Sequence, residues 1–313
     1  THCGRIGKCM VETNWKTFYK QVFMLVLPMA IQNLINVGVT AADVMMLGRV
    51  GEDVLSGSSL AGQIQFVMTL FLFGITSGAT VMTAQYWGKR DTRSIEKIMG
   101  IGMLGAVSAG LIFTIASQLF PVQLLSIYTN DPNVIAEGVK YLRVVSLSYV
   151  LMAMTQVYLY IMRSIERVII ATIVYSTSLV VNVVLNALLI FGLFGLPKLG
   201  IVGAAVATLS SRIIEFLIVI FYATKKNKVV KFRIKDVIHI DKILFKDFLV
   251  YAAPVIINEL LWGLGSSTNT AIIGHMGSAA VAANSVAQMA RQLAMVVCFG
   301  VSNATAIYLG KTI

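Results

Sequence analysis

Three carboxylates of this 313-residue chain, Asp43, Glu215 and Glu259, lie well inside long apolar stretches. An ionised acid is costly in hydrocarbon, so each must face a partner, face a wet cavity, or hold a proton. Glu215 has a partner on its own helix, because Arg212 stands three positions earlier on the same face; a structural ion pair is the expected role. Asp43 has no basic residue one helical turn away except Arg49, which belongs to the following polar turn. Its expected chemistry is reversible binding of a proton or cation, governed by how dry the site is. The competing role is an Asp that caps the end of its helix.

Oxygen donors surround that expectation. Asn182 and Asn186 are one turn apart and share a helix face, and Thr208 adds a hydroxyl from the next span. With Asp43 they make a set suited to a hard cation such as Na⁺ or to a proton relay, although Asn and Thr also bridge membrane helices. A second set centres on Glu259, with Asn258 beside it and Trp262 one turn on. Glu259 occupies the slot that Asn33 fills in the first half of the chain. These four residues are expected to line a substrate cleft for flat organic cations, through cation–π contact at Trp262 and the adaptable thioethers of the 15 Met residues. Simple packing is the alternative role for those Met side chains.

Other chemistries are not encoded. No Walker A loop, metalloprotease helix motif or Gly-rich phosphate cradle is present, so neither ATP hydrolysis nor enzyme activity is expected. Cys3, Cys9 and His2 supply too few ligands for a structural metal, and His239 and His275 are ordinary polar residues near surfaces. No cofactor is expected beyond H⁺ or Na⁺ as a coupling ion.

The elements that must position these groups are membrane helices. Hydrophobic residues make up 57% and charged residues 12% of the chain, with a mean hydropathy of +0.82. Soluble domains carry about a quarter charged residues. Eight apolar segments of spanning length are predicted: Val22–Leu47, Val54–Trp87, Ile98–Phe120, Val144–Met162, Val168–Phe194, Gly200–Ala223, Phe248–Ile273 and Val281–Leu309. Asn130-Asp131-Pro132-Asn133 is a turn signal.

A net charge of +11 would suit a nucleic-acid partner, but the basic residues gather in alternate loops. Lys89, Arg90, Arg93, Arg163, Arg167, Lys225 and Lys226 fall on one side, and Arg49, Lys140, Arg143 and Lys198 on the other. That asymmetry sets orientation, predicts a cytoplasmic N-terminus and requires no nucleic acid. Four parts follow: a cytosolic leader over residues 1–20, a six-helix lobe over 21–223, a basic cytosolic linker over 224–247, and a second lobe begun by two helices over 248–313. Within the linker, Val237, Ile238, Ile240, Ile243, Leu244 and Phe248 are spaced for an amphipathic helix on the membrane surface or against the bundle.

The second lobe repeats the first. Pro28 falls on Pro254, Gly48 on Gly274, Gly51 on Gly277, Ser59 on Ser285, Phe73 on Phe299 and Gly74 on Gly300, in one gapless register in which Asp43 faces Asn269. Internal repeats are how many carriers build a site between two halves. The fold class is therefore all-α: a polytopic membrane bundle with a six-helix N-terminal lobe and the first two helices of a repeated C-terminal lobe.

The segment LPMAIQNLINVGVTAADVMMLGRVG, then FGITSGATVMTAQYWGKRD, then VNVVLNALLIFG with GIVGAAVATLSSRIIEF, resembles the multidrug and toxic compound extrusion (MATE) family of secondary transporters. The restart APVIINELLWGLGSSTNTAIIGHMG resembles the opening of that family's second lobe. The resemblance implies a twelve-helix antiporter that expels small organic cations and drugs across the cell membrane, driven by an inward H⁺ or Na⁺ gradient, as a monomer among membrane lipids. It implies that this chain is truncated after the eighth helix. Asp43 matches the family's first-helix acid, Asn182, Asn186 and Thr208 match positions of its cation site, and Glu259 is similar to the acid on its seventh helix. Some members carry a carboxylate where this sequence has Asn186. A lipid-linked saccharide flippase of related plan, and an inactive fragment, are the alternatives.

Overall fold

The computed structural model describes residues 15–192, 195, 197–227, 229–230 and 241–276, and scattered positions between 280 and 305. The leader with Cys3, Cys9 and His2, the central part of the linker with His239, and most of the predicted eighth span lie outside the described residues.

Nine α-helices carry the described chain: α1 (Trp15–Gly48), α2 (Glu52–Gly88), α3 (Thr92–Leu119), α4 (Pro121–Ser126), α5 (Pro132–Val145), α6 (Tyr149–Ser164), α7 (Ile169–Phe191), α8 (Ile201–Phe221) and α9 (Lys242–His275). A π-helical turn, Tyr222–Lys226, extends α8. No strand occurs among the described residues. Seven of the described helical segments are long and apolar enough to cross a membrane. They correspond to the first seven predicted spans, and the protein is an integral membrane protein.

Local chemistry sets the helix starts. Asp91 caps α3, its Oδ1 accepting from the Ser94 amide at 3.1 Å and its Oδ2 from the Ser94 hydroxyl at 2.6 Å. Asp131 caps α5 by accepting from the Asn133 amide at 2.9 Å, with Pro132 in the first turn. The turn signal at Asn130–Asn133 is thus a helix start, and the fourth span is longer than predicted. Only a three-residue tightening, Ser146–Ser148, separates α5 from α6, and together they make one crossing, Pro132–Ser164. The polar residues of this stretch lie on the outer face of α5, where Lys140 pairs with Glu137 at 2.6 Å. Val134, Gly138, Leu142 and Val145 form its buried face.

Helices α2, α3, α5 and α6 enclose the first-lobe core, where Met68, Leu72, Ile98, Met99, Leu142, Val157 and Leu159 are fully buried. Leu111, Ile112, Ile115, Val180 and Leu217 point outward, as expected of a bundle surrounded by lipid. Helices α7 and α8 form a tight pair, and Gly203 makes it possible: a Cβ there would lie 2.6 Å from the Leu189 carbonyl oxygen. Helix α1 leans on α7. Between Leu27 and Gly48 its described side chains include only two buried ones, Gln32 and Leu47.

Candidate functional site

Asp43 lies five residues before the end of α1, where that helix meets α7. The side-chain amide of Asn186 on α7 donates from Nδ2 to Asp43 Oδ1 and, at 3.0 Å, to Asn182 Oδ1. Asn182 is 1% and Asn186 0% exposed. One amide thus bridges two oxygen acceptors on two helices. One further buried oxygen, Asn186 Oδ1, has no hydrogen-bond partner. Tyr141 on α5 neighbours Thr208 and lies within electrostatic reach of Asp43 and Arg212. A buried acceptor of this kind is ordinarily satisfied by a water or cation. The chemistry on offer is uptake of a proton or small cation by a single carboxylate with neutral oxygens around it.

Arg212 does not lock Asp43. Its Nη1 binds both oxygens of Glu215, at 2.8 and 2.9 Å, in the ion pair expected from their spacing. Glu215 is 2% exposed, and Arg212 Nε has no partner. Arg212 follows Thr208 by one turn of α8, so the guanidinium borders the Asp43 cluster while remaining committed to Glu215.

The second predicted set is arranged differently. Glu259 is half-buried on α9, Asn258 is exposed, and Trp262 lies with its ring 6.0 Å from that of Phe66 on α2. Asn33 sits on α1, with a buried Nδ2 that finds no partner. Because α9 packs on α2 and α1 on α7, Asn33 and Glu259 belong to separate helix interfaces. No cluster of metal-ligating side chains occurs among the described residues. A cavity of about 570 Å³ lined by Val50, Glu52, Asp53, Asn133 and Glu137 opens at the α1–α2 turn and contains none of the predicted site residues.

Sequence reasoning missed three positions. Gln32, fully buried on α1, donates from Nε2 to the Val168 carbonyl at 3.2 Å and to Thr172 Oγ1 at 2.9 Å, a second tie between α1 and α7. A polar residue facing an apolar neighbour helix was the available signal. Tyr141 carried none, since its helix was read as a loop. Arg163, expected in a basic loop, is 7% exposed and stacks 4.7 Å over the Tyr160 ring.

A family model described as MatE matches residues 28–188, and the chain belongs to that family. Among curated relatives, "Probable multidrug resistance protein YoeA" of Bacillus subtilis (strain 168) is 25% identical over 300 residues, covering 94% of this chain and 64% of that protein. "Probable multidrug resistance protein NorM" of Agrobacterium fabrum (strain C58 / ATCC 33970) is 25% identical over 299 residues, covering 95% and 64%. This chain therefore spans just under two thirds of the length of the relatives it matches. Two solved structures share the fold. One is a MOP superfamily transporter from Pyrococcus furiosus Vc1 (DSM3638), with a TM-score of 0.81 at 21% identity over 93% of this chain and 65% of that one. The other is an outward-facing multidrug resistance MATE family transporter, with a TM-score of 0.80 at 20% identity over 92% and 63%.

Proposed function

We propose that this chain forms the first lobe, and the start of the second, of a cation-coupled antiporter that exports small organic cations and drugs. The orientation that fits the charge pattern puts the N-terminus and the basic loops in the cytoplasm. The observation that carries the proposal is the Asp43 cluster: one carboxylate tied to α7 by Asn186, whose own buried carbonyl oxygen has no donor.

Coupling follows from competition at that carboxylate. A proton or Na⁺ arriving at Asp43 competes with the Asn186 amide for the same oxygen, and so changes the link between α1 and α7. If drug affinity depends on that link, cation and drug bias one equilibrium in opposite directions, which is the requirement for exchange. Glu259 and Trp262, on the α2–α9 interface, are the proposed contacts for a cationic aromatic substrate. Arg212 is already paired with Glu215, which favours organic cations over the pyrophosphate headgroup that a saccharide flippase must hold.

The test is ethidium efflux from cells expressing the whole protein, under imposed H⁺ and Na⁺ gradients in turn. Asp43→Asn should lose gradient-driven efflux under whichever ion drives the parent protein. Parent-level efflux in that variant sinks the proposal.

A further inference from the structure

Arg163 stands in the last turn of α6, at the end of the bundle where the basic loops gather, and it is buried without a counter-ion. Its Nε is wholly enclosed and has no hydrogen-bond partner. Among the described residues the guanidinium makes no ion pair and donates to no side chain. Its contacts are aromatic: it lies 4.7 Å from the centre of the Tyr160 ring and 5.9 Å from that of Tyr175 on α7. A ring face attracts the charge but supplies no oxygen for the N–H groups, which point outward in the plane of the guanidinium.

The nearby acids do not fill that need. Glu215 binds Arg212 through both of its oxygens. Asp43 adjoins Arg212 and accepts from Asn186. Glu166, three residues after Arg163, is exposed, and only its backbone amide turns back to the Arg163 carbonyl, at 3.0 Å. Tyr175 lies within electrostatic reach of Arg163, Arg212 and Glu215 together, so the interior around that ring holds two guanidinium groups and one carboxylate. A water can accept a hydrogen bond there but cannot balance the surplus positive charge.

We propose that the free edge of Arg163, flanked by Tyr160 and Tyr175, is a binding site for a phosphate group, held by the Nε–H and a neighbouring Nη–H as a pair. A fork of two parallel donors matches two oxygens of an oxyanion. The surroundings supply such groups. Asn227 ties the turn after α8 to α6 by donating to the Tyr158 hydroxyl at 3.1 Å and to Met162 Sδ at 3.4 Å, which brings the exposed Lys225 and Lys226 to the same end as the exposed Arg167. Basic side chains at a membrane boundary concentrate phospholipid headgroups and free phosphate alike. Such a site holds whether or not the Asp43 cluster couples transport.

The experiment takes the whole protein, delipidated in detergent, and titrates inorganic phosphate by calorimetry at constant ionic strength. A parallel arm takes the protein from vesicles of phosphatidylglycerol and phosphatidylcholine in equal parts and reads the retained lipid by native mass spectrometry. The parent should bind phosphate or retain phosphatidylglycerol at a single site. Arg163→Lys keeps the charge and loses the fork, and should weaken that binding about tenfold; Arg163→Gln should abolish it. If Arg163→Gln fails to fold, Arg163→Lys carries the comparison. Arg167→Gln, at an exposed neighbour, should bind as the parent does. Lipid retained without free phosphate bound assigns the site to a headgroup, and the reverse assigns it to a soluble anion. A parent that binds neither, Arg163 variants that bind like the parent, or an Arg167→Gln protein that loses as much as Arg163→Lys would overturn the site.

Discussion

Asp43 of α1 accepts a hydrogen bond from the side-chain amide of Asn186 of α7, across 143 positions of sequence. The same amide donates to Asn182, so a cation bound at Asp43, as proposed, would disturb both bonds. Coupling between two ligand sites typically amounts to a factor of roughly 5–150, and Asp43→Asn should forfeit it. Ethidium binding to the purified variant should persist and lose its dependence on H⁺ or Na⁺. Retention of that dependence counts against the coupling role.

Arg212 and Glu215 form a pair in which Glu215 is buried and Arg212 half-buried, and its halves are not independently expendable. Glu215→Gln strands the guanidinium, and breaking one side of such a pair costs about 3–5 kcal/mol. Arg212→Met with Glu215→Leu removes both charges and should recover most of that loss. Thermal unfolding in detergent compares the three proteins; equal midpoints for the single and double variants would contradict the account.

Gly203 holds α8 against α7, with the Leu189 carbonyl in the space a methyl would need. Gly203→Ala should destabilise the protein by about 1–3 kcal/mol, the usual range for overpacking. The displaced helices carry Thr208 and Asn186, so cation dependence should weaken in the same variant. Preserved stability and cation dependence together would show that the helices yield without cost.

Two capping carboxylates outside the membrane predict a pH profile. The Ser94 hydroxyl, and after it the Ser94 amide, hold Asp91 below its usual value of 3.8; Lys97, and after it the Ile243 amide, do the same for Asp241. A depressed folded value means that the contribution to stability is complete above 3.8 and is lost as the pH falls through the depressed value. Asp91→Ala should therefore lower the thermal midpoint near neutral pH, by about 0.5–2 kcal/mol of capping energy, and converge with the parent in strong acid. A constant difference at all pH values would contradict the capping assignment.

Gln32 ties α1 to the first turn of α7 through the Val168 carbonyl and Thr172. Gln32→Leu keeps the bulk and removes both bonds, at roughly 0.5–1.5 kcal/mol each. The expected signature is faster hydrogen exchange in α1 and the first turn of α7, with α2 and α3 unaffected.

Much of this arrangement was legible in the sequence. Spanning helices announce themselves by length and hydropathy, and Arg212 with Glu215, or Asn182 with Asn186, by spacing along one helix. Such signals reach one or two turns. The ties between Gln32 and Thr172, or between Lys97 and Asp241, depend on how whole helices pack, and no local period encodes that. The fourth span was misjudged for a related reason: α5 shows charged residues on its outer face, and a hydropathy window averages them with the buried face opposite. Grouping Asn33 with Glu259 in one cleft came from the symmetry of the repeat, which matches positions on equivalent helices and leaves their packing to the tertiary structure.

The sparse burial of α1 has a mechanical consequence. Between Leu27 and Gly48, polar ties at Gln32 and Asp43 join it to α7, and among its described side chains there only Gln32 and Leu47 are buried. A helix held there by two polar ties gives up few buried apolar contacts when it tilts. Its resting angle should accordingly respond to the thickness of the host bilayer, so that short-chain and long-chain phospholipids become a means of adjusting the carrier from outside.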